Sequence, residues 1–294
     1  MKRTFLIAGG DLRFAALADV LAEGNRVYAV GFDRNVSMSP KVKTADNVSA
    51  VEERVDCLIL PLPASADGVT VSTPFSGRSI SLESLSHTIK ENGIVLGGMV
   101  SPEAEKIFAE KNIAVADYAR REEFAVMNAV ATAEGAVQVA MEELATTISG
   151  RKILILGAGR IAKVLIDVLS GFHAKITVGA RKCSDLAWAG VYGCESCPID
   201  KIDGILGNFD IIFNTVPAVI LDENRLKKIS KSCLVIDLAS KPGGVDFDTA
   251  GSLGVRTVWL LSLPGKVAPI TSGRVIADTV KNILAERGDG CGRN

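Results

Sequence analysis

The stretch LILGAGRIA (154–162) limits what this chain can fold into more than any other. Apolar residues of a strand run into two glycines one residue apart, and an alanine three positions later falls in a helical pattern. Gly157 permits the tight turn, Gly159 lets the backbone approach a pyrophosphate, and Ala162 lets the helix lie close to the sheet. The free N–H groups and dipole at such a helix N-terminus favour an anion. The pattern therefore predicts the first βα turn of a parallel sheet that holds a dinucleotide, with Gly157, Ala158, Gly159, Arg160, Ile161 and Ala162 at the cofactor.

The next strand, KITVGA, ends in Arg181 and Lys182. Sites for NAD place an Asp or Glu roughly twenty residues after the glycine turn, on the ribose 2′-hydroxyl. Here the first acid is Asp185, and two cations stand before it. Arginine offers a planar fork to a phosphate and lysine a point charge, so the strand end predicts NADP, with its 2′-phosphate, rather than NAD. Asn214, Thr215, Val216 and Pro217 close a later strand at the edge where open α/β sheets bind ligands, and are expected to touch the cofactor. Two stiff loops, DLASKPGG with Ala239 and LPGKVAP with Lys266, belong to the same edge.

Short apolar runs alternate with helical patterns in both halves of the 294 residues, which predicts an α/β fold: two doubly wound parallel-sheet domains, the second a Rossmann NAD(P)-binding domain. The expected division is an N-terminal α/β domain for substrate or partner over 1–120, a long interdomain helix over 121–148, and the Rossmann domain over 149–271. The amphipathic segment 272–288 is expected as a terminal helix that packs back on the first domain. A cleft between two such domains is where cofactor and substrate usually meet.

Composition narrows the function. Basic and acidic side chains number 33 and 34, for a net charge of −1, which gives no general attraction for nucleic acid or an anionic membrane. No run of 18 or more apolar residues occurs, and the first residues read as a strand, not a signal peptide. Six scattered cysteines in a chain of this size fit a reducing cytoplasm. Cys194 and Cys197 form a CxxC without a second ligand pair, so a surface turn with two ordinary thiols is expected and no metal site.

Groups for a small dicarboxylate substrate are less sharply marked. Gly9-Gly10-Asp11-Leu12-Arg13 lacks the GxGxxG spacing but reads as a binding turn in which Arg13 meets a carboxylate, with Ser65, Arg78, Ser101 and Lys266 as further candidates. Glu134 and Thr132, polar residues on the long helix, are the candidates for proton acceptor and positioning donor.

Taken in order, GGD, LPLPASADGVTVSTPFS, TAEGAVQ, LGAGRIA, VGARK, NTVP, DLASKPGGVDF and LPGKVAPITSG resemble the dipicolinate synthase A-subunit family of spore-forming bacteria, over about residues 3–286. The second half also looks like the cofactor domain of 2-hydroxyacid dehydrogenases. The resemblance implies a nicotinamide-dependent oxidation of a dihydrodipicolinate to pyridine-2,6-dicarboxylate. It also implies a partner, the flavoprotein-like B subunit, and a place in the cytoplasm of the sporulating mother cell. A homo-oligomer is compatible with it. Two other readings of the residues stand beside it: an NADP-dependent dehydrogenase of shikimate or hydroxyacid type, and a non-catalytic NADP-binding subunit.

Overall fold

The computed structural model describes residues 2–33 and 36–289; Cys291 lies outside them. Eight strands come first: β1 (Thr4–Ala8), β2 (Arg26–Val30), β3 (Val42–Ala45), β4 (Val55–Ile59), β5 (Thr70–Val71), β6 (Ile80–Ser81), β7 (Ile89–Gly97) and β8 (Ala114–Asp117). Among them lie α1 (Leu12–Ala22), α2 (Leu82–Ser86) and α3 (Pro102–Ala109), and α4 (Glu122–Glu143) comes next. The second series is β9 (Lys152–Leu156), α5 (Arg160–Gly171), β10 (Lys175–Ala180), α6 (Cys183–Val191), β11 (Glu195–Pro198), β12 (Ile211–Asn214) and α7 (Glu223–Leu226). It ends with β13 (Leu234–Asp237), α8 (Phe247–Leu253), β14 (Arg256–Trp259), α9 (Leu263–Val267) and α10 (Pro269–Leu284).

Two six-stranded parallel sheets result, in the orders β3-β2-β1-β4-β7-β8 and β11-β10-β9-β12-β13-β14. Each has its first strand in the middle and reverses direction beside it, the doubly wound pattern. The expected α/β architecture of two parallel-sheet domains is therefore present. The chain divides into two compact units, 1–128 with 268–294 and 129–267, so the second crossing falls before α10.

Both faces of a parallel sheet are covered, and the central strands are accordingly apolar at nearly every position. Alternation then sends neighbours to opposite sides. In the first unit Phe5 and Ile7 pack with α1 and α10, while Leu6 and Ala8 pack with Leu82, Leu85 and Phe108. In the second unit Ile153 and Ile155 meet α5 and the alanines of α4, and Leu154 and Leu156 meet Ile202 and Leu226. Gly273 allows α10 to lie close on α1: a Cβ there would sit 2.4 Å from the Arg13 carbonyl. Ile276, Val280, Ile283 and Leu284 are buried on this seam, each contributing about 1.5–3 kcal/mol of hydrophobic stabilisation.

Two details differ from the sequence reading. The long helix stops at Glu143, short of 148, because Arg256 donates to the Glu143 carbonyl at 2.8 Å and caps the turn. It is shared, giving Phe124 to the core of the first unit and Ala133, Ala136 and Ala140 to that of the second. By length and composition it is apolar enough to cross a membrane, and half of its most apolar window is buried inside the protein. The CxxC is not a surface turn: Cys197 lies in the edge strand β11, opposite Gly179, and the two thiols pack on opposite faces of the sheet. Both are free thiols.

The β5–β6 hairpin depends on Asp67. Its carboxylate accepts from the Thr70 hydroxyl and N–H, the Val69 N–H and the Ser65 hydroxyl, and these bonds hold it well below the usual carboxylate range. A depressed folded pKa stabilises above the unfolded value, about 3.9, and the contribution is lost as pH falls below it. Asp67→Ala is expected to accelerate amide exchange at Val69 and Thr70 at pH 7, corrected for intrinsic rates. The wild type should show that acceleration only in acid, and unchanged protection in the variant would contradict this role for Asp67.

Candidate functional site

In the second unit the strand-to-helix turns collect at the carboxyl edge of the sheet around a cavity of about 300 Å³. Its floor is the glycine turn. Gly157 has φ +99 and donates its N–H to the Gly179 carbonyl at 2.8 Å. A Cβ on Gly157 would lie 2.4 Å from the Thr215 hydroxyl, which is itself tied to the Leu156 carbonyl at 2.8 Å. Glycine is thus required twice here, for the left-handed conformation and for the close approach of β12. Gly159 differs: it begins α5 without a side-chain cap, and a Cβ would meet nothing within 4 Å. The space beside it is open to a ligand.

The structure brings Gly157, Ala158 and Gly159 to the cavity together with Arg181, Lys182, Thr215, Val216 and Pro217. Arg181 and Lys182 are exposed where β10 ends and α6 begins. Neither side chain makes an ion pair or hydrogen bond with the described residues. Arg160 is exposed at the first position of α5, Ile161 half-buried behind it, and Ala162 fully buried against the sheet. Ala162 does the packing its small size predicts, without lining the cavity.

Asn214 and Ala239, expected at the cofactor, are instead buried. Asn214 donates to Asp237 at 2.7 Å and to the Val216 carbonyl at 3.0 Å, and accepts from the Val216 N–H at 3.2 Å. Ala239 donates its N–H to Asp237 at 3.0 Å and accepts from the Trp259 indole at 2.9 Å. Sequence reasoning places the loop that begins at Asp237 on this edge but assigns no role to the Asp237 or Asp185 carboxylate. An acid closing the apolar run LVID is a visible signal for the first, while Asp185 reaches the cavity only because the first turn of α6 folds over it.

The candidate substrate and catalytic groups fare differently. Arg13 is buried and engaged: Nε and Nη2 form a fork with Asp11 at 2.9 and 2.8 Å, and Nη2 lies 3.5 Å from the Leu62 carbonyl. Its charge is answered within its own turn, so it is not the free cation expected for a carboxylate. The Ser65 hydroxyl lies 2.9 Å from the Asp67 carboxylate and 2.6 Å from the Thr70 carbonyl. Ser101 caps α3 by accepting from the Ala104 N–H, and Arg78 donates to the Asp46 carbonyl at 2.6 Å. Lys266 is exposed on α9, which comes after β14 at the carboxyl edge of the second sheet, and has no partner among the described residues. Thr132 is buried in α4. Glu134 is exposed in a groove with Val168 and Phe172, near the end of α5 farthest from the glycine turn, so the structure does not bring it to the cavity. Among the described residues no cluster of three His, Cys, Asp or Glu could hold a metal ion.

The first unit has the same strand order and a comparable turn, with a different outcome. Gly9 donates to the Val30 carbonyl at 2.9 Å, as Gly157 does to Gly179. The Gly10 N–H, however, is taken by the Ser72 carbonyl at 2.8 Å, and that oxygen lies 2.4 Å from where a Gly9 Cβ would be. The chain's own segment fills the place of a phosphate and presents an oxygen there. In the second unit the N–H groups of Ala158 and Gly159 donate to no described residue.

Comparison with known proteins agrees with this division. Residues 4–119 match the family described as the N-terminal domain of the dipicolinate synthase A subunit, and residues 138–257 match shikimate/quinate 5-dehydrogenase. The whole chain is 30% identical over 285 residues to the dipicolinate synthase A subunit of Bacillus subtilis (strain 168), covering 95% of each. The chain belongs to the dipicolinate synthase A-subunit family. A crystal structure of a family member from Bacillus halodurans superposes with a TM-score of 0.87 at 30% identity, over 96% of this chain and 98% of that one. Shikimate dehydrogenase (NADP(+)) of Shouchella clausii is 27% identical over 105 residues, 33% of this chain and 38% of the relative. The resemblance read in the ordered motifs is thereby borne out, and the second unit has the fold of a nicotinamide-dehydrogenase domain.

Gly159 offers a clean test of the cavity. Since a methyl group fits there, Gly159→Ala should leave the thermal midpoint nearly unchanged while weakening nicotinamide dinucleotide binding by on the order of tenfold, equivalent to about 1.4 kcal/mol. Calorimetric titration checks this, and unchanged affinity would mean that no ligand backbone approaches Gly159.

Proposed function

We propose that this chain is the dinucleotide-binding component of a dipicolinate synthase that oxidises a dihydrodipicolinate to pyridine-2,6-dicarboxylate with NADP⁺. The observation that carries the reading is the contrast between the two turns: one is closed by Ser72, and the other leaves its N–H groups and two cations open at a cavity. The residues fit the cofactor. The α5 N-terminus and the backbone of Gly157–Gly159 would hold the pyrophosphate, and Arg181 and Lys182 the 2′-phosphate. Thr215, Val216 and Pro217 would form the opposite wall.

When bound, NADP⁺ supplies a hydride acceptor, so that dihydrodipicolinate and NADP⁺ give dipicolinate, NADPH and a proton. Aromatisation favours the product strongly, and what the protein must provide is chiefly orientation. Lys266 is the cation we assign to a substrate carboxylate, since Arg13 is held by Asp11. Thr132 and Glu134 are given no step. The family name specifies one subunit of an enzyme, and a flavoprotein-like B subunit in the sporulating mother cell is the partner in this reading. The shikimate-type match of the second unit favours one other reading, a dehydrogenase that acts alone on a substrate of its own.

Mixing the purified chain, with and without the B subunit, with fresh dihydrodipicolinate and NADP⁺ tests the proposal. NADPH and dipicolinate should rise together in a one-to-one ratio, efficiently only when both proteins are present. Full turnover without the partner would contradict the two-subunit reading. Dipicolinate formed without NADPH would contradict the oxidoreductase.

A further inference from the structure

Asp237 ends β13 directly opposite Asn214, which ends β12, and both are fully buried. A buried carboxylate needs donors, and this one has three. Oδ1 accepts from the Asn214 amide at 2.7 Å and from the Ala239 N–H at 3.0 Å, and Oδ2 accepts from the Gly244 N–H at 2.7 Å. Asn214 passes the constraint on: its amide brackets Val216 at both the N–H and the carbonyl. Gly244 closes the loop from the other side, its carbonyl accepting from the Ile220 and Leu221 N–H groups, both at 2.9 Å. The segment bearing Thr215, Val216, Pro217 and Ala218, one wall of the cavity, is thus held at both ends by bonds that converge on Asp237 and Gly244.

Packing makes the arrangement rigid. A Cβ on Gly244 would lie 2.1 Å from the Asn214 amide nitrogen and 2.7 Å from the Val216 carbonyl, and one on Gly243 would lie 3.0 Å from Asp237 Oδ2. Across the loop, Trp259 donates to the Ala239 carbonyl and stacks on Phe247 with ring centroids 5.2 Å apart. Strands β12 and β13 have their own ladder beneath this network, so the sheet does not need it to pair. What depends on it is the path of the chain after Asn214.

We infer that Asp237 is a positioning residue for the cofactor: acting through Asn214 and Gly244, it sets the wall of the dinucleotide cavity that faces the glycine turn. The inference rests on the dinucleotide reading of that cavity. The wall formed by Thr215–Ala218 contacts parts common to NADPH and NADH, unlike Arg181, whose partner is the 2′-phosphate. Losing the clasp therefore weakens both nucleotides by the same factor, whereas losing Arg181 weakens one.

The test is a double-mutant cycle read by calorimetric titration of NADPH and NADH into Asp237→Asn, Asn214→Ala, their combination, and each with Arg181→Ala. In Asp237→Asn an amide N–H₂ replaces an acceptor and faces another donor. Displacing the wall in this way should weaken both nucleotides by about 2- to 12-fold in Kd, equivalent to roughly 0.5–1.5 kcal/mol. The Asp237→Asn/Asn214→Ala pair should be no weaker than its weaker single variant. Either of the two combined with Arg181→Ala should multiply the separate NADPH effects. Should Asp237→Asn fail to fold, Asn214→Ala and Gly244→Ala carry the test, since both disturb the clasp and leave Asp237 in place. Wild-type affinity in a folded Asn214→Ala variant overturns the inference, as does simple multiplication of the Asp237 and Asn214 effects. A wild type that binds neither nucleotide removes the dinucleotide reading as well, which tells the two failures apart.

Discussion

Parallel strands joined by helices must bring every strand-to-helix turn to one edge of the sheet, and that constraint governs both units here. The edge has no ladder to satisfy its backbone groups, so each turn needs another partner. Where the chain supplies one, as Ser72 does for Gly10, the edge is closed. Where it does not, as at Ala158 and Gly159, the same geometry leaves backbone N–H groups open, the feature on which the proposed anion site rests. Two sheets with one strand order thus differ at this edge, the first being closed by the segment that contains the β5–β6 hairpin.

The cavity wall reflects a second consequence of the edge. Polar residues that end buried strands are themselves buried, and they are stable only with complete hydrogen bonding. Asn214 and Asp237 satisfy each other and then fix the loops that leave them. Crowding at Gly157 and Gly244 removes the remaining freedom. The cavity wall is consequently held by the protein's own bonds, while Arg181 and Lys182 stand exposed at the mouth.

The local patterns are legible in the sequence and the long-range pairings are not. LILGAGRIA specifies strand, turn and helix within nine residues, because each glycine answers a constraint inside the motif. The short, polar strand β11 carries too little period-2 signal to distinguish it from a turn, and its place is set by pairing with β10. Asn214 reads as a ligand group because a polar residue at a strand end suggests one; the acid that binds it is 23 positions away. Glu134 lies on a helix rich in alanine and valine on several sides, where spacing alone does not tell which face meets α5. Arg13 misleads for the opposite reason, since its partner Asp11 is two residues back and the fork they make depends on the bend into α1.

A 2′-phosphate at the end of β10 is the central claim. Its most direct measurement is the affinity of NADPH and of NADH for the wild type and for Arg181→Ala. The wild type should prefer NADPH, and the substitution should weaken NADPH by on the order of 10- to 100-fold, the value of a charge-assisted hydrogen bond of roughly 1.5–3 kcal/mol, while NADH binding stays almost the same. A wild type that prefers NADH, or equal weakening of both nucleotides, would contradict it.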